Sequence, residues 1–322
     1  MDFHLEFFPK PFDVKISHQQ KLLLTGSCFT EQIGNKLTMH KFKVLDNPNG
    51  ILFNPVSIAK SVISYIENTH YNETELFWQN ECWNSWDHHS RFSHPDKQTC
   101  LRLINESQSS AHLFLKDARW LLVTLGSAFV YEREHEQVVA NCHKVPTDQF
   151  NKRLLHADEV STVLWDMLKR LKEFNPALKI IFTISPVRHL RDGFMENNRS
   201  KARLIQAVHE LVEKDTSSFY FPAYELVIDD LRDYRFYAED MVHPNYAATQ
   251  YVWEKFAAAC IDEPTLQLMR LVNEVNAAMH HRPFNPASDA HRKFLQINLE
   301  KVRKLAEQYP YMDLDKEMEY FS

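Results

Sequence analysis

The sequence predicts an α/β protein of three α/β/α layers, a mostly parallel sheet with helices on both faces, ending in a helical extension. Three observations predict it. Short apolar runs of strand length alternate with longer segments of helical periodicity. Two of only five glycines, Gly26 and Gly126, directly follow such runs, KLLLT at 21–25 and RWLLVTL at 119–125. From 262 to 322 the apolar spacing is helical, with no further strand pattern.

Taken in order, the 21–25 strand runs through Gly26 and Ser27 into the helical pattern CFTEQIGNKLTMH, and a short extended piece follows at 41–45. Asn54 and Pro55 supply the N-cap and first residue of a helix at 55–67. An insertion rich in aromatic residues and histidine occupies about 70–105, with FWQNECWNSWDHHSRFSHP at 77–95. The 119–125 strand leads into a charged excursion to about 145 and a helix at 158–174. LKIIFTIS at 178–185, a helix at 200–213, the aromatic strand SSFYF at 217–221 and a helix at 244–260 complete the alternation. This divides the chain into a sheet domain, 1–261, and an extension, 262–322, broken by HHRPFNP at 280–286 and expected to fold back on its own domain. The chain is then a monomer, or a homodimer if a second copy covers the apolar stripes.

Composition narrows the function classes. With 322 residues, 44% hydrophobic and 25% charged, the chain can bury a full core. A net charge of -6 and the lack of any basic run argue against a nucleic-acid partner. No window approaches 18 apolar residues, so no membrane-spanning helix is expected. The N-terminal MDFHLEFFPKPF lacks the basic start and unbroken apolar stretch of a signal peptide, which makes a cytoplasmic location the expectation. The cysteines, 28, 82, 100, 142 and 260, are odd in number and form no C-x-x-C pair, so they read as free thiols.

Two stretches carry chemistry. A serine directly after a buried strand, preceded by glycine and followed by a helix, places its hydroxyl at the carboxyl edge of the sheet, near a positive helix end. Ser27 has that address, although a plain N-cap is the simpler use of a serine there. Far along the chain, Asp240 stands three residues before His243, a spacing at which a carboxylate reaches the imidazole Nδ1 and leaves Nε2 as a base. Rival motifs are weaker. Ser57 to Lys60 matches S-x-x-K but lies within the 55–67 helix and lacks companion motifs. Cys82, Asp87, His88, His89 and His94 lack the tight spacing of structural zinc sites, so no metal is expected.

Gly26-Ser27-Cys28-Phe29-Thr30 and the D-x-x-H turn resemble the GSCFA family of the SGNH/GDSL hydrolase superfamily. NPNGILFNP at 47–55, TLGSAFVYE at 124–132, NCHKVP at 141–146, SPVRH at 185–189 and LRDYRFYAEDMVHP at 231–244 are similar to it too. The resemblance implies a flavodoxin-like SGNH hydrolase fold, with Ser27 as nucleophile, His243 as general base and Asp240 orienting it. It also implies an oxyanion hole formed by the Ser27 amide, the amide of a glycine after the second strand, matched here by Gly50, and an asparagine after the third. The chain departs from that pattern at the asparagine, where Gly126-Ser127 is followed by Ala128. Asn141 is the expected substitute donor, with Ser127 or the backbone near Gly126 next.

The expected pocket comprises Gly126, Ser127, Trp86, His88, His89, Arg188 and His189, with the aromatic insertion offering apolar walls and sugar-stacking faces. The expected activity is hydrolysis of an acyl ester, acetyl above others, on a carbohydrate or other small molecule, with no cofactor. O-acetyl transfer by the same residues, or a binding protein that keeps the fold without efficient chemistry, are the alternatives. Cys28 is expected to be an inert neighbour of the nucleophile.

Overall fold

The computed structural model describes residues 4–322; the first three, which head the stretch read above for a leader, lie outside the described residues. β1 (Lys21–Gly26) passes through Ser27 into α1 (Cys28–Met39), and β2 (Lys43–Asp46) and α2 (Pro55–Glu67) follow. The insertion contributes β3 (Leu76–Gln79), β4 (Cys82–Ser85) and α3 (Lys97–Asp117). Next come β5 (Trp120–Leu125), β6 (Phe129–Glu132), β7 (Asn151–Leu154) and α4 (Ala157–Phe174). β8 (Lys179–Ile184), α5 (Gly193–Lys214), β9 (Ser218–Tyr220), the short α6 (Ala223–Glu225) and α7 (Tyr246–Cys260) complete the sheet region. α8 (Glu263–Met279), α9 (Asp289–Gln308) and α10 (Asp315–Phe321) end the chain.

The main sheet has the order β2-β1-β5-β8-β9, and every neighbouring pair in it is parallel. The chain therefore moves outward from β1 to β2, returns to the other side of β1 with β5, and continues away from it. That reversal leaves a crevice beyond the carboxyl ends of β1 and β5, where open α/β sheets place their ligands. The apolar runs follow from burial on both faces. Leu22, Leu24, Trp120 and Leu122 pack in the cluster that contains α1 and α7, whereas Leu23, Leu121, Val123 and Phe182 pack in the cluster that contains α2, α4 and α5.

Three features of the sheet region were not in the sequence reading. α3 is a polar helix whose fully buried stripe is only Cys100, Ile104, Gln108, Ala111 and Leu115, too sparse to stand out in sequence. The hairpins β3-β4 and β6-β7 have strands of four residues each, too short for a clear alternation. α5 starts at Gly193 rather than near 200, because its first turn, with Phe194 and Met195, faces solvent and shows no buried periodicity.

The C-terminal helices enclose an apolar cluster of their own, with Leu268, Val272, Val302, Leu305, Leu314 and Phe321. They meet the sheet region around the far end of α1. The Asn276 side-chain amide donates to Met39 O (2.9 Å), Lys41 pairs with Glu317 (2.7 Å), and the His18 N–H donates to Thr265 Oγ1 (2.9 Å). Ser27 is the N-cap residue at the other end of this 12-residue helix, so these contacts lie about 18 Å away along it, given the 1.5 Å rise per residue.

Candidate active site

Ser27 is the N-cap residue of α1, but its side chain makes no cap hydrogen bond. The hydroxyl is buried and has no partner among the described residues. The simpler reading, a serine placed to cap a helix, therefore does not account for it. Gly26 fixes the residue before it: with φ at +139°, a Cβ there would lie 2.1 Å from Thr124 O. Only glycine lets β1 approach β5 so closely at the point where the chain turns into α1.

The backbone amides expected in an oxyanion hole are both committed. Ser27 N–H donates to Thr124 O at 3.1 Å, extending the β1-β5 ladder by one rung. Gly50 N–H donates to Asn47 O at 2.7 Å, closing a tight turn. Gly50 has φ +82°, and a Cβ on it would meet His89 Cβ at 2.1 Å, so the 47–50 turn and the insertion are in direct contact. In this conformation neither amide is free to receive an oxyanion.

Across the crevice, Asp240 and His243 form the pair that their spacing implied. His243 Nδ1 lies 2.6 Å from Asp240 Oδ2, and Asp240 Oδ1 accepts the N–H groups of Val242 (2.9 Å) and His243 (3.0 Å). The His243 amide, then its imidazole and the Val242 amide hold the Asp240 carboxyl down to about 2, so it is ionised at any ordinary pH. Both side chains are half exposed, whereas Ser27 is wholly covered. The direct Ser27-to-His243 hydrogen bond is not made in this structure.

The loop after β8 joins the two halves. Arg188 N–H donates to Val242 O at 3.2 Å, and its guanidinium stacks over Tyr237 (4.2 Å) and Tyr234 (5.0 Å). Arg188 thus clamps this loop onto the Asp240-His243 turn, and it forms no ion pair among the described residues. His189 presents Nε2 to the end of β5, 3.3 Å from where a Cβ of Gly126 would be, and its ring stands edge-on to Phe53 at 5.3 Å. That nitrogen is buried and unpartnered among the described residues. Burial, reinforced by the nearby Lys201 and His243, pushes the His189 imidazole down to about 3.

Lys201 was missed from the sequence. It is 1% exposed and donates to Gly126 O and Ser185 O, both at 2.7 Å, which ties the ends of β5 and β8 together. Burial lowers its ammonium to about 7, with Cys28 acting in the opposite direction. The available signal was its position: Asn197, Lys201, Leu204 and Val208 follow helical spacing on the buried stripe of α5, so a lysine stands where an apolar residue is normal.

Several expected pocket residues are used otherwise. Trp86 stacks on Phe77 (3.7 Å, 6° between planes) and carries the Arg133 guanidinium at 4.3 Å, so neither ring face is left for a sugar. His88 is a core histidine, 1% exposed, paired with Ser85 Oγ through Nδ1 (2.8 Å) and depressed by burial to about 3. Ser127 Oγ accepts the Phe129 N–H (3.1 Å) and faces Ser200 on α5 (3.3 Å), which engages it in the local fold. Ala128 is fully buried and offers no side-chain donor. Asn141 Oδ1 accepts the His143 N–H at 2.8 Å, a turn within its own segment. His89 caps the short helix Ser90–Phe92 through Nδ1 while its Cβ covers Gly50. The Cys28 thiol is raised, first by burial and then by Glu31. Among the described residues no group of three His, Cys, Asp or Glu side chains is placed to hold a metal.

Comparison with known proteins adds a family. The model described as the GSCFA family matches residues 21–256, and one described as the C-terminal domain of GSCFA domain proteins matches 272–322. Among solved structures, a carbohydrate esterase family 3 protein from Talaromyces cellulolyticus is similar at 11% identity and a TM-score of 0.36, covering 80% of this chain and 99% of that one. An acetyl xylan esterase from the rumen bacterium Butyrivibrio proteoclasticus is similar at 12% identity and a TM-score of 0.37, covering 81% of this chain and 66% of that one. No curated protein matches.

Proposed function

Because the chain belongs to the GSCFA family, whose model covers the whole crevice, we propose that it is a serine esterase in which Ser27 is the nucleophile, His243 the general base and Asp240 the residue that orients His243. The observation that carries this reading is the buried Ser27 hydroxyl, without a cap bond, at the β1-α1 junction. Leaving a buried donor unsatisfied costs roughly 1–3 kcal/mol, and a hydroxyl kept free for reaction explains that cost.

His243 Nε2 takes the Ser27 proton as Oγ bonds to the ester carbonyl carbon, and the carbonyl π pair moves onto its oxygen. Collapse of that intermediate expels the alcohol, which takes the proton from His243. Water then attacks the acyl-enzyme by the same route and releases the acid. Asp240 stays ionised and holds the imidazole with Nε2 toward the serine. The preferred substrate is a small acyl ester, acetyl above others, on a carbohydrate; with a sugar hydroxyl in place of water the same residues perform transfer. Ser27 is wholly covered in this structure, so substrate entry requires the crevice to open. That burial also favours the second reading, a binding protein that retains the fold.

A fluorophosphonate probe separates the two. The wild type is expected to be modified at Ser27 and to hydrolyse members of an ester panel, and Ser27→Ala to lose both. Hydrolysis that survives in Ser27→Ala removes the esterase reading, and a wild type inert to probe and panel alike supports the binding protein.

A further inference from the structure

The two backbone amides that the family pattern would assign to the oxyanion of a Ser27 adduct are not free. Both nearby amides are bonded to carbonyls, Ser27 to Thr124 and Gly50 to Asn47. A tetrahedral intermediate without a preorganised donor forgoes what is usually the largest single contribution to catalysis. A side chain whose hydrogen-bonding atom is free, buried and placed at the ends of β1 and β5 can supply the donor instead.

We propose that His189 is this donor, with Nε2–H receiving the oxyanion of an ester attacked by Ser27. The proposal rests on the esterase reading above. Nε2 is buried, has no partner among the described residues, and stands 3.3 Å from the Cβ position of Gly126, on the strand bonded to β1 just before Ser27. Its backbone is fixed from two sides: the Asn197 side-chain oxygen accepts the His189 N–H at 2.9 Å, and Arg188 anchors the loop on Val242. Three charged or titratable groups act on it, Lys201 from α5, His243 from the facing turn and Asp192 from its own loop. Burial, with Lys201 and His243 acting in the same direction, outweighs Asp192 and keeps the ring neutral, so it carries a single N–H. A neutral imidazole held by its surroundings is an established kind of electrophile toward a carbonyl oxygen. Asn47 also has a buried, unbonded Nδ2, but its Oδ1 is fixed on Gly26 N–H (2.8 Å), on the β2 side of β1 and away from β5.

The test uses the full chain and the rate at which a fluorophosphonate modifies Ser27, since the probe's phosphoryl oxygen needs the same donor. His189→Leu, of similar size without a donor, is expected to slow labelling by about 10²–10³-fold, and His189→Gln, which restores an N–H, to recover most of the rate. A Leu variant that labels at the wild-type rate overturns the role of His189 alone. A wild type that is not labelled at Ser27 overturns the esterase reading and the donor with it. Should the Leu variant fail to fold, ¹⁵N NMR of the phosphonylated wild type decides. The His189 Nε2–H resonance is expected to shift on adduct formation, and an unchanged resonance rejects the contact.

Discussion

Ser27 and His243 reach the same edge of the sheet by opposite means. Ser27 is held by the sheet itself, with Gly26 pressed against Thr124 O, Ser27 N–H on the same oxygen and the side chain wholly covered. His243 belongs to a half-exposed turn whose order is local: Asp240 takes its ring nitrogen, its own amide and the Val242 amide. The first half cannot be altered without disturbing the core, and the second can be altered almost without touching it. In the proposed pair this division separates stability from chemistry.

Two substitutions put that separation to the strongest test. Gly26→Ala forces a methyl to within 2.1 Å of Thr124 O at a backbone angle that alanine avoids. It is expected to cost about 4 kcal/mol or more and to abolish labelling through loss of the fold. Asp240→Asn should leave the thermal midpoint within a degree or two while lowering the labelling rate by roughly 10²–10⁴-fold, because the amide no longer fixes the imidazole tautomer. A folded, active Gly26→Ala protein, or an Asp240→Asn protein as unstable as it is inactive, breaks the comparison.

Lys201 sharpens it from the buried side. Its folded pKa lies at about 7 against an ordinary value of 10.5, so the native state binds the proton less tightly than the unfolded chain. The protonated lysine is therefore a cost below pH 7, relieved as pH rises from about 7 to 10.5. Relative to Lys201→Met, the wild type is expected to gain up to about 5 kcal/mol of unfolding free energy across that window, read from urea titrations at several pH values. Parallel curves for the two proteins would show that Lys201 does not lose its proton there.

These contrasts also explain what the sequence made legible. The strands at 21–25, 119–125 and 178–185 lie within a residue or so of β1, β5 and β8, because burial on both faces leaves an unbroken apolar run. α2 was legible to the residue because Asn54 caps it through Ser57 N–H and Pro55 opens it. Asp240 and His243 were readable because their contact spans a single turn. Lys201 was not assigned a role and His189 was read only as a pocket residue, since each acts across the fold, from elements whose placement no local pattern records. The bonding of the Ser27 and Gly50 amides was not legible for a related reason: position placed them at the right edge, but whether an N–H is free depends on the strand or turn beside it. Trp86 failed because an exposed-looking aromatic in sequence proved to have a partner on each face.

The smallest effect is expected at Asn141, which competes with His189 for the donor role. Its Oδ1 accepts the His143 N–H, and His143 in turn packs its Nε2 against Ser85 O at 2.8 Å, so the segment is held within the insertion rather than by the crevice. Asn141→Ala removes one turn hydrogen bond, a cost of about 0.5–1.5 kcal/mol. Labelling of Ser27 should change by no more than about threefold, the change expected when no transition-state contact is lost. The measurement is the labelling rate beside the urea midpoint in the same preparation. If the rate instead fell by about a hundredfold at unchanged stability, the side-chain amide would have to rotate toward Ser27 during reaction. The donor would then sit on the insertion-facing side of the crevice, and the strand ends of β5 and β8 would serve only to shape it.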